Sequence, residues 1–153
     1  NDIEILNRKD LKFLIKPHPT WSPEIIKGLF SEGKLDSFEF VLGDFHDALE
    51  VVSLVVSNAS SVALEAVAKG TPVLIIASTS GILQNPIPEK VNKACWRVCY
   101  SVSDIKNEIM AFMNKKELGD LDFLRIGDKI RADYFEPVTK EGVLRFLYLN
   151  KNV

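Results

Sequence analysis

The chain has 153 residues, of which 46% are hydrophobic and 26% are charged, a composition typical of one globular domain with a sizeable core. Its formal net charge is −2, so no basic field indicates nucleic acid as a partner. No apolar run approaches the roughly 18 residues that a membrane span needs, and no signal-peptide pattern opens the chain.

The first part of the chain alternates short apolar runs with amphipathic ones. Pro17 and Pro19 end the first strand, because proline cannot donate to a strand ladder. Ser22 followed by Pro23 is typical of a helix start, with serine as the N-cap. The predicted elements are, in order, a strand at 12–15, a helix from 23 to about 30, a strand at 38–42 and a helix at 45–52.

The stretch 54–77, with sequence LVVSNASSVALEAVAKGTPVLIIA, is the centre of the chain. Two apolar runs, 54–56 and 73–77, enclose a polar cluster and an amphipathic run, which predicts a strand–helix–strand unit. Neither apolar run alternates with polar residues, so both faces of each strand should be buried, as in a parallel sheet. The enclosed helix then begins at the carboxyl edge of the sheet, where its free N–H groups can bind an anion.

The last part of the chain continues the alternation after a polar loop. Ser103 predicts the N-cap of a helix, and Gly127 predicts an interruption or a bend in the helix that follows. The predicted elements are a loop at 78–88, a strand at 96–100 and helices at 104–114, 121–134 and 138–149. Five strands alternating with helices predict a single α/β domain over 1–153: a Rossmann-like, doubly wound parallel sheet of about five strands with flanking helices.

The two cysteines, Cys95 and Cys99, are four positions apart in or beside the predicted fifth strand. This spacing predicts that both side chains point to the same face. We expect both thiols to be reduced and buried as small hydrophobic groups. Without further Cys or His nearby, the pair is a weak signal for a metal site.

Three polar clusters are predicted to lie at one edge of the sheet. They are residues 17–19, 43–44 and 57–61, each directly after a predicted strand. In open α/β sheets, ligands bind at the carboxyl ends of the strands, so this convergence indicates a binding site. No G-x-G-x-x-G, P-loop or G-x-S-x-G motif is present, which leaves a Rossmann dinucleotide, P-loop or serine-hydrolase site unsupported.

Each candidate residue has a structural alternative. Ser60 and Ser61 could hold a phosphate at the helix start or could simply cap the helix. Glu65 could accept hydrogen bonds from vicinal hydroxyls or could be an exposed helix glutamate. His18 could bind a phosphate, which favours the cationic form of an imidazole, or could pack on the strand end. His46 is interpreted as a surface histidine.

Residues 16–19 (KPHP), 57–66 (SNASSVALEA) and 70–73 (GTPV) together resemble the C-terminal, donor-binding half of GT-B glycosyltransferases. The likeness is to the bacterial surface-polysaccharide type, which carries "HP" and "SS" motifs. That group includes bacterial sialyltransferases and the glycerophosphotransferases of teichoic acid synthesis. The resemblance covers residues 12–77 well and residues 131–137 more loosely.

The resemblance implies roles for six residues. His18 becomes the catalytic group, which contacts the donor phosphate and helps the nucleotide leave by stabilising its developing negative charge. The implied substrate is a CMP- or UDP-linked sugar, with no metal and no further cofactor. The implied donor-binding residues are Leu42 and Gly43 at the base, Ser60 and Ser61 at the phosphate and Glu65 at the ribose hydroxyls.

The resemblance also implies a larger context. Because the chain begins with Asn1 and an apolar segment follows almost at once, we expect a fragment of a longer two-domain protein. The missing N-terminal domain would supply the glycan or lipid-linked acceptor, so the isolated domain should be inactive. The full-length enzyme is expected in the cytoplasm, at the inner face of the membrane through peripheral association. The alternatives are a UDP-GlcNAc 2-epimerase-like domain and a non-catalytic nucleotide-binding module.

Overall fold

The computed structural model describes residues 4–30, 37–58, 60–78, 85–114, 122–135 and 137–147. The strands are β1 (Phe13–Ile15), β2 (Phe38–Phe40), β3 (Val55–Ser57), β4 (Val73–Ile76) and β5 (Trp96–Cys99). The helices are α1 (Pro23–Gly28), α2 (Phe45–Leu49), α3 (Ser61–Ala68), α4 (Val102–Asn114), α5 (Phe123–Tyr134) and α6 (Lys140–Phe146). Parts of four predicted features lie outside the described residues: position 59 of the polar cluster, positions 79–84 of the loop, position 121 of one helix and positions 148–149 of the last helix.

The predicted α/β class is confirmed, and every strand pair is parallel. The finer prediction of one five-stranded sheet differs from the observed hydrogen bonding, because β1 and β2 form a two-stranded sheet while β3, β4 and β5 form a three-stranded one. Among the described residues, no ladder joins β1 to β3. Side-chain packing connects them instead, since Phe13 and Leu54 both contact the apolar cluster that contains Leu74 and Cys99.

The central strand–helix–strand unit is confirmed as β3, α3 and β4. Val73 and Ile75 belong to the apolar cluster that contains the inner face of α3, and Leu74 belongs to the opposite cluster with Ile109 of α4. These three side chains are fully buried, so both faces of β4 are covered up to its last residue, Ile76, which is exposed, as expected for a strand of a parallel sheet. The prediction that both faces are buried is wrong for β3, where Val56 is 43% exposed, because no strand or helix in the described ranges covers that side chain. None of the helices in the described ranges is long and apolar enough to cross a membrane.

The two cysteines are free and buried, as predicted, but they do not share a face. Cys95 packs in the cluster around α3, and Cys99 packs in the cluster around α4. The period-two alternation of a strand does not extend to Cys95, because this residue ends a 3-10 turn, Lys93–Cys95, that precedes β5.

The predicted helix starts are partly confirmed. Ser22 caps α1, where its hydroxyl accepts from the backbone N–H of Ile25 at 3.4 Å. The prediction of Ser103 as the cap of α4 is wrong, because α4 begins at Val102. Ser101 and Asp104 form a reciprocal capping pair there: the Asp104 N–H donates to Ser101 Oγ at 3.0 Å, and the Ser101 N–H donates to the Asp104 carboxylate at 3.0 Å.

The predicted interruption at Gly127 is wrong, because α5 is continuous from Phe123 to Tyr134. Gly127 is instead the contact point between α5 and the end of α3. A Cβ at this position would lie 2.6 Å from the carbonyl oxygen of Ala68 and 2.8 Å from the backbone nitrogen of Gly70. Arg131, one turn later in α5, donates to the same Ala68 carbonyl. The glycine therefore allows the two backbones to approach closely, and the guanidinium satisfies a carbonyl at the helix end.

Gly127→Ala should lower the free energy of unfolding by about 1–3 kcal/mol, because the added methyl group overlaps the backbone of α3. The loss should appear although alanine favours a helix over glycine by about 1 kcal/mol. Gly28→Ala in α1 is the matched control, since nothing lies within 4 Å of its Cβ position. Urea unfolding of both variants measures the difference, and equal stabilities would contradict the close packing.

The stability of the protein should fall at alkaline pH because of Cys95. Burial raises the pKa of the Cys95 thiol to about 11, since the thiolate loses its hydration in the core. Above pH ~9 the unfolded chain releases this proton and the folded chain keeps it, so the free energy of unfolding decreases by about 1–2 kcal/mol at pH 10. Urea unfolding at pH 8 and pH 10 should show a smaller decrease in Cys95→Ala than in the wild type.

Candidate functional site

A cleft of about 780 Å³ opens at the carboxyl ends of β1, β2 and β3. Its walls come from the segments that follow these strands, namely residues 16–19, 43–46 and 57–62 apart from position 59. Leu14 of β1 and Val55 of β3 also line it, so the cleft extends into the gap where the two sheets are not joined by hydrogen bonds. This is the edge at which ligands bind in α/β folds.

Most of the predicted site residues line this one cleft. The lining residues include His18, Gly43, Ser60, Ser61 and Glu65. Leu42 is not among them, and its side chain is 70% exposed. The structure thus brings the three predicted polar clusters to one cavity, although the role of each residue there stays a prediction.

A tight turn after β1 presents His18 to the cleft. Pro17 is buried while His18 is exposed, and the Trp21 N–H donates to the His18 carbonyl at 2.8 Å. Thr20 holds the ring: its N–H donates to His18 Nδ1 at 3.3 Å, and its hydroxyl lies 2.7 Å from the same nitrogen. A neutral ring that accepts at Nδ1 carries its proton on Nε2, and a protonated ring can donate from Nδ1 to the Thr20 hydroxyl.

When Nδ1 of His18 accepts the Thr20 N–H, the ring carries its proton on Nε2. Within the described ranges this nitrogen has no hydrogen-bond partner, so its N–H is available to a ligand. The sequence analysis missed Thr20 and attributed the direction of the ring to the flanking prolines. A hydroxyl residue two positions after a turn histidine is the signal that could have identified it, because such a side chain can bond locally.

The start of α3 forms the wall opposite the capping turn of α2. Ser60 occupies the N-cap position, but its side chain makes no capping hydrogen bond. Asp44, the N-cap of α2, does cap its helix and accepts from the His46 N–H at 2.7 Å. The first turn of α3 also contains no acidic residue. The positive end of α3 is thus compensated neither by the Ser60 hydroxyl nor by a carboxylate in its first turn.

His46 is exposed, as predicted, but it also belongs to the cleft. Its Nε2 lies 3.5 Å from the Glu65 carboxylate, with side-chain exposures of 53% and 30% respectively. The structural alternative for Glu65 was an exposed helix glutamate. The contact with His46 shows that its carboxylate is not a free surface group. The two residues are far apart in sequence and lie on different helices, so no local sequence pattern could predict their contact.

The acidic side chains of the cleft already contact other protein groups, whereas its lysine has only a weak contact in the described ranges. The two acids that line the cleft, Asp44 and Glu65, are engaged with the backbone of α2 and with His46. Lys16 also lines the cleft, and within the described ranges its Nζ makes a long contact of 3.5 Å with the Pro17 carbonyl. This lysine supplies positive charge suited to an anion such as a phosphate, and the His18 ring lines the same cleft. In the residues that the structure describes, no group of three or more His, Cys, Asp or Glu could hold a metal ion.

A second cleft of about 450 Å³ lies at the opposite, amino edge of the strands. Its lining is largely apolar, including Leu54, Ile109 and Phe112, and its one carboxylate, Asp10, is paired with Arg8. Its lining residues in the described part of the chain form no cluster of titratable groups comparable to that of the first cleft. The first cleft is therefore the candidate functional site.

No protein-family model, curated protein or solved structure matches the chain. The case for a function consequently depends on the geometry of the cleft itself.

Ser60→Ala should change the free energy of unfolding by less than ~0.5 kcal/mol, because the hydroxyl makes no capping hydrogen bond that could be lost. Asp44→Ala should cost about 1 kcal/mol, since it removes an N-cap that is formed. Thermal or urea unfolding of the two variants tests the contrast. If Ser60→Ala lowers the free energy of unfolding as much as Asp44→Ala does, the role of this serine is to cap the helix.

Proposed function

We propose that the cleft binds the nucleotide-sugar donor of a GT-B glycosyltransferase that acts in surface-polysaccharide biosynthesis. One observation carries the proposal: His18, Ser60, Ser61 and Glu65 line the same cleft at the carboxyl ends of the strands. These residues come from separate parts of the chain and match one motif set. A donor of this class needs a phosphate site beside a ribose site, and both kinds of polar group are present.

The phosphate of the donor would lie between His18 and the start of α3. There the Nε2–H of His18, the Ser60 hydroxyl and the N–H groups of α3 can donate to its oxygens. When the bond from the sugar to the phosphate oxygen breaks, the electron pair stays on that oxygen. Donors already in position stabilise this charge more than that of the ground state, which accelerates the step.

The nucleoside would extend from the phosphate along the wall formed by β2 and α3. Glu65 can accept hydrogen bonds from the ribose hydroxyls. Gly43 has a φ of +99° and nothing within 4 Å of its Cβ position, which leaves its backbone open to a flat base. In the proposed arrangement, the backbone of Gly43 contacts that base, whereas Leu42 does not line the cleft.

The same proposal includes the finer architecture and the cellular context. The two sheets would act as one Rossmann-like layer, supported by the parallel pairing and by the apolar cluster shared by Phe13 and Leu54. A second domain of a longer protein would present a glycan or lipid-linked acceptor across the cleft. That enzyme would work at the inner face of the membrane.

The binding test is an NMR titration of the protein with CMP, CDP and UDP up to millimolar concentration. We expect at least one nucleotide to shift the amide signals of His18, Ser60 and Ser61. His18→Ala and Glu65→Ala should each weaken binding roughly tenfold or more, because each removes a charge-assisted hydrogen bond.

The control variant is Glu141→Ala, which removes an exposed carboxylate of α6 that does not line the cleft. It should bind as the wild type does. The absence of shifts with all three nucleotides, or an equal loss in the control, would contradict the proposed function.

A further inference from the structure

We propose that His46 is a positioning residue: it holds the Glu65 carboxylate in the orientation that recognises a pair of vicinal hydroxyls. The inference rests on the proposed function for its ligand, a nucleotide with an intact ribose. The observation behind it is the contact of 3.5 Å between His46 Nε2 and Glu65 Oε2 inside the cleft.

The position of His46 is itself well determined. Asp44 accepts from the His46 N–H at 2.7 Å and so fixes the first turn of α2. The imidazole lies beside the Phe45 ring, with centroids 6.1 Å apart. A second ionic contact, Lys69 Nζ to Glu50 Oε1 at 3.3 Å, also connects α2 with the end of α3. The two helices are therefore held together at two points, and only the first point lies in the cleft.

The contact leaves Glu65 suited to recognise a diol. Oε2 lies 3.5 Å from the imidazole nitrogen, and Oε1 has no hydrogen-bond partner in the part of the chain that the structure describes. A carboxylate can accept several hydrogen bonds, but accepting two from neighbouring hydroxyls requires a fixed orientation. Fixing the side chain before the ligand arrives reduces the entropy that binding would cost. His46 thus acts on the ligand through Glu65.

The first measurement needs no ligand. The chain contains two histidines, so imidazole signals in ¹H–¹⁵N NMR spectra can be assigned with His18→Ala and His46→Ala. Glu65→Gln should shift the signals of the His46 ring and leave those of His18 unchanged. If the His46 signals do not move, the contact is absent in solution and the inference is overturned, whether or not the protein binds nucleotides.

The second measurement compares two ligands: the nucleotide that binds among CMP, CDP and UDP, and its 2′,3′-dideoxy analogue. His46→Ala should weaken binding of the ribonucleotide roughly threefold to tenfold and leave binding of the analogue nearly unchanged. His46→Gln, which retains an N–H donor, should recover most of the loss. In the Glu65→Ala background, His46→Ala should have no further effect.

Glu50→Ala is the matched control, because it breaks the other ionic contact between α2 and α3 without touching the cleft. It should leave the preference for the ribonucleotide intact. If His46→Ala weakens the binding of both ligands equally, the positioning role is overturned, while the proposal that the cleft binds a nucleotide is unaffected. A wild-type protein that binds no nucleotide would overturn the proposed function, and with it the ligand assigned to this pair.

Discussion

The burial of β4 on both faces is the constraint on which the rest of the described structure depends. Val73 and Ile75 pack against α3, and Leu74 packs against the side that α4 covers. Removal of this apolar surface from water is the main stabilising contribution to such a fold. It also determines direction: parallel β3 and β4 require α3 to begin at the carboxyl edge of the sheet. The backbone contact at Gly127 then holds α5 against the far end of α3.

The cleft is a consequence of how the two sheets meet. Phe13 and Leu54 keep β1 close to β3 through a shared apolar cluster, but no backbone ladder joins these strands in the described ranges. β1 and β3 are thus connected by side chains on one face and are not joined by backbone hydrogen bonds. This leaves open space between the two strands on the other face. The segments after β1, β2 and β3 surround that space, so the opening and the polar side chains occur at the same edge.

The polar groups of the cleft differ in whether the protein already satisfies them. Asp44 is committed to the N-terminus of α2, and Glu65 is in contact with His46. In the described part of the chain, the Nε2 of His18 and the hydroxyl of Ser60 have no such partner. His18 is exposed and Ser60 is half-buried, so both groups can bond a ligand that enters the cleft, and hydrogen-bond donors are what a phosphate needs.

Local chemistry determined the parts of this protein that short stretches specify: parallel strands from apolar runs without alternation, the N-cap at Ser22, and polar clusters after the strands. It did not determine the split into two sheets, because the hydrogen bonds between strands depend on the relative placement of distant segments. The same reason applies to Gly127, where a glycine at a helix contact resembled a helix break, and to His46, which pairs with Glu65 on another helix. Residues that act through neighbours in space became visible only when the tertiary structure placed those neighbours.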